Sequence, residues 1–163
     1  MIITITGASG VGKTTALEAL AKNLPKGVKV FHFDDLGMPD WSTITDTKKW
    51  QRETTLIWMD KIIDIAIKED IHIIFEGSTE IEFFKEGFAK HHYSDFKIIL
   101  LDCSPETMEK RLIKRGQPEL FQKDMVNWSN FLRTEAINNK AEIINTDLMT
   151  PKEISQLIIN QLV

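Results

Sequence analysis

Eight consecutive residues near the start of the chain, Gly7-Ala8-Ser9-Gly10-Val11-Gly12-Lys13-Thr14, match GxxxxGK[ST] at every fixed position. A β-branched apolar run, Ile2 to Thr6, leads straight into them, and a helical pattern, Thr15 to Leu24, follows at once. Strand, glycine loop and helix in that order make an anion cradle. The glycines let backbone N–H groups turn inward, and the helix adds the positive end of its dipole. Lys13 is then expected to bridge two phosphates, Thr14 to offer its hydroxyl to Mg²⁺, a hard cation that takes oxygen ligands, and Thr15 to complete the contacts. At average glycine content the fixed positions recur by chance in about one chain in several hundred. The run is therefore read as the binding site for the triphosphate of a purine nucleotide, Mg·ATP.

The rest of the chain has to supply a fold around that loop. Apolar β-branched runs recur at Ile2 to Thr6, Val28 to Phe33, Ile71 to Phe75, Phe96 to Asp102 and Ala141 to Ile144, and segments of helical spacing lie between them. Thr79 with Glu82 and Thr150 with Glu153 match the capping box, while Ser104 before Pro105 offers an N-cap and an N1 proline. Unbroken apolar strands alternating with helices imply a parallel sheet covered on both faces, an α/β three-layer sandwich. At 163 residues and 42% hydrophobic content the chain is expected to form one domain, residues 1–163. Two polar, turn-forming stretches, Leu36 to Thr47 and Gly116 to Lys123, are read as mobile insertions over a site.

Other motifs narrow the class. A GTPase needs DxxG after the third strand and an NKxD guanine reader, whereas this chain carries Phe75-Glu76-Gly77-Ser78 and Asn145-Thr146-Asp147. A motor or transporter ATPase needs an apolar strand ending in Asp-Glu, and none is present. With its glycine loop, Asp34-Asp35 after the second strand, Glu76-Gly77 after the third and Arg111-x-x-x-Arg115 before a turn-rich segment, the chain resembles the nucleoside-monophosphate-kinase-like group of P-loop kinases, which includes shikimate, gluconate, uridine and adenylate kinases. The resemblance implies a five-stranded parallel sheet in the order 2-3-1-4-5, an acceptor-binding segment at about 36–58, and a small lid at about 116–123.

From the resemblance, Asp34 or Asp35 binds the acceptor, holds Mg²⁺ or takes the proton. Successive side chains of an extended segment point opposite ways, so only one of the two is expected to face the γ-phosphate. Glu76, at a strand end, suits a metal contact or the acceptor, and Gly77 beside it would allow close ligand approach. Arg111 is expected to stack on the adenine and Arg115 to reach the phosphates; a planar, permanently charged guanidinium suits both tasks. Arg52 is a candidate partner for an anionic acceptor. Trp41, Trp50 and Trp58 are read as core in preference to pocket lining. Asp102 is read as structural, His91-His92 as surface, and the Thr146-to-Pro151 turn as the border of the base, acting through its backbone.

The segment 116–123 has no arginine, unlike many relatives, so phosphate clamping is either weaker or shared by Lys114, Lys123 and Arg133. Only Arg52 lies between Leu36 and Trp58, which disfavours a second phosphate on the acceptor. The expected reaction is transfer of the γ-phosphoryl of Mg·ATP to a hydroxyl of a nucleoside-like or sugar-like metabolite. The rivals are an adenylate-kinase-like reaction and an ATP-dependent switch with slow hydrolysis. A net charge of −4 argues against nucleic acid as partner, and no apolar run is long enough for a membrane span. One cysteine, Cys103, excludes an internal disulfide and suggests a cytoplasmic setting; the chain is expected to act as a monomer or homodimer.

Overall fold

A computed structural model describes residues 1–37 and 39–162, with the side chain of Trp41 outside that description. Strands β1 (Ile2–Thr6), β2 (Val28–His32), β3 (His72–Glu76), β4 (Phe96–Asp102) and β5 (Glu142–Asn145) pair in parallel in the order β2-β3-β1-β4-β5. That is the expected architecture. Between the strands run α1 (Lys13–Ala21), α2 (Thr47–Glu69), α3 (Ile81–Lys90), α4 (Pro105–Lys114) and α5 (Lys123–Asn138), and α6 (Pro151–Asn160) ends the chain.

Alternation along the strands divides the core into two layers. In β1, Ile3 and Ile5 pack with Leu17 and Leu20 of α1, Met108 and Leu112 of α4, and Ile154 and Ile158 of α6. Ile2 faces the other way, with Trp58, Met59 and Ile62 of α2, Phe84 and Phe88 of α3, and Leu132 of α5. Because both faces are covered, the strands carry apolar residues at nearly every position. Close helix packing is secured at Gly87, where an added Cβ would stand 2.5 Å from Met59 Cβ. No helix of the described residues is long and apolar enough to cross a membrane.

Several local expectations need correction. The second strand stops at His32, because residues 33–36 turn into a 3-10 helix whose capping box joins His32 and Asp35. Asp34 and Asp35 are therefore not on extended backbone, and the alternation argument does not apply to them. Thr79 does not cap α3. Its hydroxyl is buried against Thr55, and it receives the Thr6 hydroxyl on its carbonyl at 2.6 Å. The open N–H groups of Ile81 and Glu82 go instead to the carboxylate of Glu135 in α5, at 2.9 and 3.2 Å. The segment expected to form a lid, 116–123, holds a 3-10 turn, Pro118–Leu120, and Leu120 and Phe121 are partly buried against the core, which leaves that expectation standing. Ser104 with Pro105 and Thr150 with Glu153 do cap α4 and α6.

Candidate active site

At the carboxyl ends of β1 and β3, where ligands gather in open parallel sheets, the chain forms a cleft of about 580 Å³. Its rear wall is the glycine loop. Gly10 and Gly12 both adopt left-handed backbone, with φ of 87° and 103°, which turns the loop into the first turn of α1. Gly7 is required for a different reason: a Cβ there would lie 2.5 Å from the carbonyl oxygen of Leu101 and 2.8 Å from Val11 Cγ2. Helix α1 starts at Lys13 with neither a side-chain cap nor an acidic residue in its first turn, so its leading N–H groups remain free for an anion.

The Lys13 ammonium folds back onto the carbonyls of Gly7 and Ala8, at 2.7 and 3.1 Å. Burial pushes its pKa down, and the charge of Glu76 works against that shift. A buried cation resting on loop carbonyls is suited to exchange them for phosphate oxygens.

Ser9, Gly10, Gly12, Thr14 and Thr15 line the cleft beside Lys13, while Ala8 and Val11 are buried behind them. Asp34, Glu76 and Gly77 face the same space. Asp34 is held above the usual carboxylate range, first by burial and then by the charge of Glu76, with Lys13 opposing both. Asp35 does not face the cleft, because its Oδ2 accepts the backbone N–H of His32 at 3.1 Å. One carboxylate of the pair thus turns inward, owing to the 3-10 turn. Thr14, Asp34 and Glu76 all offer hard oxygen donors to the cleft, the donor set that Mg²⁺ favours, and crowded carboxylates gain from a divalent cation. Among the described residues no cluster of three or more His, Cys, Asp or Glu would hold a metal unaided, so phosphate oxygens and water would have to complete such a shell.

Two features, one behind the cleft and one in its lining, were not singled out from the sequence. His32 pairs through Nδ1 with Glu76 Oε1 at 3.0 Å, and that hydrogen bond raises the histidine's pKa against the opposing effect of burial. Register explains the contact, since His32 and Glu76 are neighbours across β2 and β3. Ser78 also lines the cleft and accepts Trp128 Nε1–H of α5 at 3.1 Å. Gly77 serves packing as well as access: the space of its missing side chain is filled by Phe33, whose Cβ would lie 2.9 Å from an added Cβ.

The opposite end of the cleft is built by α4 and the turn after β5. Arg111 donates to the carbonyl of Val11 at 3.1 Å, to Thr146 Oγ1 at 2.9 Å and to the carbonyl of Thr146 at 2.6 Å. Arg111 borders the cleft together with three apolar residues, Met149, Pro151 and Ile154. Lys114 and Arg115 line the cleft from the end of α4. Arg133 is committed to Asp102 at 2.6 Å and Lys123 does not line the cleft, so of the three basic residues named to share the clamping only Lys114 lines it. Asp102 is structural, also accepting the Ser129 hydroxyl.

Arg52 stands apart. It pairs with Glu86 of α3 outside the cleft, so the expectation of an acceptor contact is withdrawn. Trp58 is core, with its indole N–H on the carbonyl of Phe33 at 2.9 Å. Trp50 packs edge-on against Phe33, and the Trp41 side chain lies outside the described residues. His91 pairs with Asp60 at the surface.

Comparison with known proteins agrees with this fold. The family model described as AAA domain matches residues 3–145. A protein of Pyrococcus furiosus named "putative adenylate kinase" is 28% identical over 98% of this chain and 83% of its own length. Among solved structures, the tunicamycin resistance protein of Deinococcus radiodurans superposes with a TM-score of 0.70 at 20% identity, covering 99% of this chain and 94% of that one. A sugar kinase of Janibacter sp. HTCC2649 gives 0.68 at 19% identity over 99% and 93%.

Proposed function

The chain belongs to the AAA domain family and is a P-loop kinase of the nucleoside-monophosphate-kinase-like group, and from that premise we propose that it transfers the γ-phosphoryl of Mg·ATP to a hydroxyl of an uncharged small metabolite. One observation carries the reading: every lysine or arginine lining the cleft comes from the glycine loop or from α4, namely Lys13, Arg111, Lys114 and Arg115. Phe33, Asp34, Glu76, Gly77 and Ser78 make the opposite wall, and Lys48 and Arg52 at the start of α2 are paired with Glu80 and Glu86. A wall lined by two carboxylates and by no lysine or arginine suits a neutral hydroxyl compound better than a monophosphate.

In this mechanism the loop N–H groups and Lys13 hold the β- and γ-phosphates, and Mg²⁺, held by Thr14 with Asp34 or Glu76, supplies charge neutralisation when bound. Asp34, its pKa already raised, accepts the proton of the attacking hydroxyl. Arg115 and Lys114 meet the charge that develops on the transferred group, while Arg111 and the Met149-Pro151 wall fix the base. Electrostatics and positioning supply most of such catalysis. An adenylate-kinase-like reaction is the second reading, favoured by the name of the Pyrococcus furiosus relative.

The test is ADP release from Mg·ATP with nucleosides, sugars, hydroxy acids and nucleoside monophosphates as acceptors. A neutral acceptor should raise turnover well above background, and Lys13→Ala and Asp34→Ala should each remove that rise. Stimulation by AMP or CMP alone selects the second reading.

A further inference from the structure

Ser78 occupies a junction that neither the nucleotide site nor the core requires. It leaves β3 two residues after Glu76 and lines the cleft on the cation-free wall. Two helices hold it from outside. Gln51 Nε2 of α2 donates to its carbonyl at 2.6 Å, and Trp128 Nε1 of α5 donates to its hydroxyl oxygen at 3.1 Å. An indole N–H is a donor only, so Ser78 Oγ has to be the acceptor in that bond. Among the described residues Ser78 Oγ makes no further hydrogen bond, which leaves its own proton free to donate.

The surrounding wall is closely packed. Phe33 fills the space beside Gly77, and its ring packs against those of Trp50 and Phe75. Trp128 is stacked on Phe131 at 5.5 Å, so its N–H is aimed by packing. An oriented hydroxyl donor thus stands on the wall that faces Lys13, close in sequence and space to Glu76 and across from the phosphate end.

We propose that Ser78 is a specificity-determining residue, whose hydroxyl, turned by Trp128, donates to an oxygen of a neutral polyhydroxyl acceptor of nucleoside or sugar type. The proposal rests on the phosphotransferase reading above. It selects for acceptors carrying an oxygen beside the reacting hydroxyl, because an analogue without that oxygen leaves the donor unpaired when the cleft closes on it.

The test uses ¹⁵N-labelled full-length protein with Mg²⁺ and a non-hydrolysable ATP analogue, following the indole N–H resonance of Trp128, assigned with Trp128→Phe. Adenosine, cytidine, glucose, shikimate and AMP are added in turn, and the same compounds are run in the ADP-release assay. The expected result is that a neutral compound which stimulates ADP release also shifts the Trp128 resonance. Ser78→Ala should raise its KM about 3- to 10-fold with KM for ATP unchanged, and Ser78→Thr should restore most of the loss. A compound that stimulates turnover but leaves both the resonance and the Ser78→Ala KM unmoved overturns the role of Ser78 while the phosphotransferase reading stands. Equal changes in both KM values mean a structural tether and also overturn it. If no compound stimulates turnover or shifts the resonance, both readings fall together.

Discussion

The hydroxyl of Thr146 donates to the carbonyl of Val11 at 2.8 Å, joining the turn after β5 to the glycine loop across 135 residues of chain. Arg111 binds both partners, so the loop, α4 and the base-side turn share one polar knot. Thr146 is fully buried, whereas Arg111 reaches the knot from the lining of the cleft. Thr146→Val keeps the shape and removes the hydroxyl. It should cost about 0.5–1.5 kcal/mol, the net worth of a lost hydrogen bond, because Arg111 still donates to the Val11 carbonyl, and it should weaken ATP binding. Chemical denaturation and nucleotide titration of the same variant measure the two effects, and an unchanged ATP affinity would contradict the coupling.

Gly7→Ala tests whether the loop is fixed by sterics. The new Cβ would meet a backbone oxygen at 2.5 Å, and backbone gives way less easily than a side chain. Overpacking of this kind costs about 1–3 kcal/mol, and here it should also abolish ATP binding. Gly27→Ala is the control: its φ is 79° but nothing lies within 4 Å, so it should cost about 1 kcal/mol and leave ATP binding intact.

Glu135 caps α3 from α5, and its removal leaves two N–H groups open at a buried helix end. Glu135→Ala should lower stability by about 1–3 kcal/mol, which for a chain of this size is roughly 2–10 °C in Tm. Glu135→Gln, which keeps one carbonyl acceptor, should recover part of that loss. KM for ATP should not move in either variant, since Glu135 does not line the cleft.

Asp147 gives a pH-dependent prediction. Hydrogen bonds from Thr107 and from the backbone and hydroxyl of Ser104 hold its pKa down to about 2, from an ordinary 3.8. A depressed folded-state pKa stabilises above the unfolded value and loses that contribution as pH falls through the folded value. The Tm gap between the parent protein and Asp147→Asn should therefore stay constant from pH 7 to 5, narrow below about pH 4 and close near pH 2. A gap that ignores pH would show that the charge contributes nothing.

What was legible in the sequence is what local rules decide. The glycine loop, the strand at Phe96 to Asp102 and the caps at Ser104 and Thr150 depend on neighbours within a few residues, and they stand where the pattern put them. The sheet order followed from the resemblance that the loop and the acidic strand ends carried. The failures are non-local. Thr79 matched a capping box, but Glu135, 54 residues away from Ile81, took the N–H groups that the motif assigns to it. Arg52 looked available until Glu86 of a neighbouring helix claimed it. His32 passed as a strand residue, although its register opposite Glu76 could have been read from the pairing of the second and third strands. Trp128 gave no signal, because its bond to Ser78 spans 50 residues.

The most direct test of the central claim is the identity of the phosphorylated product. Mg·ATP is incubated with the protein and a mixture of nucleosides, sugars, hydroxy acids and CMP, and the reaction is followed by ³¹P NMR with mass spectrometry of the products. The account predicts ADP together with a new phosphomonoester on a previously neutral compound, both absent with Lys13→Ala. Formation of CDP without any new phosphomonoester, or of inorganic phosphate alone, would contradict it.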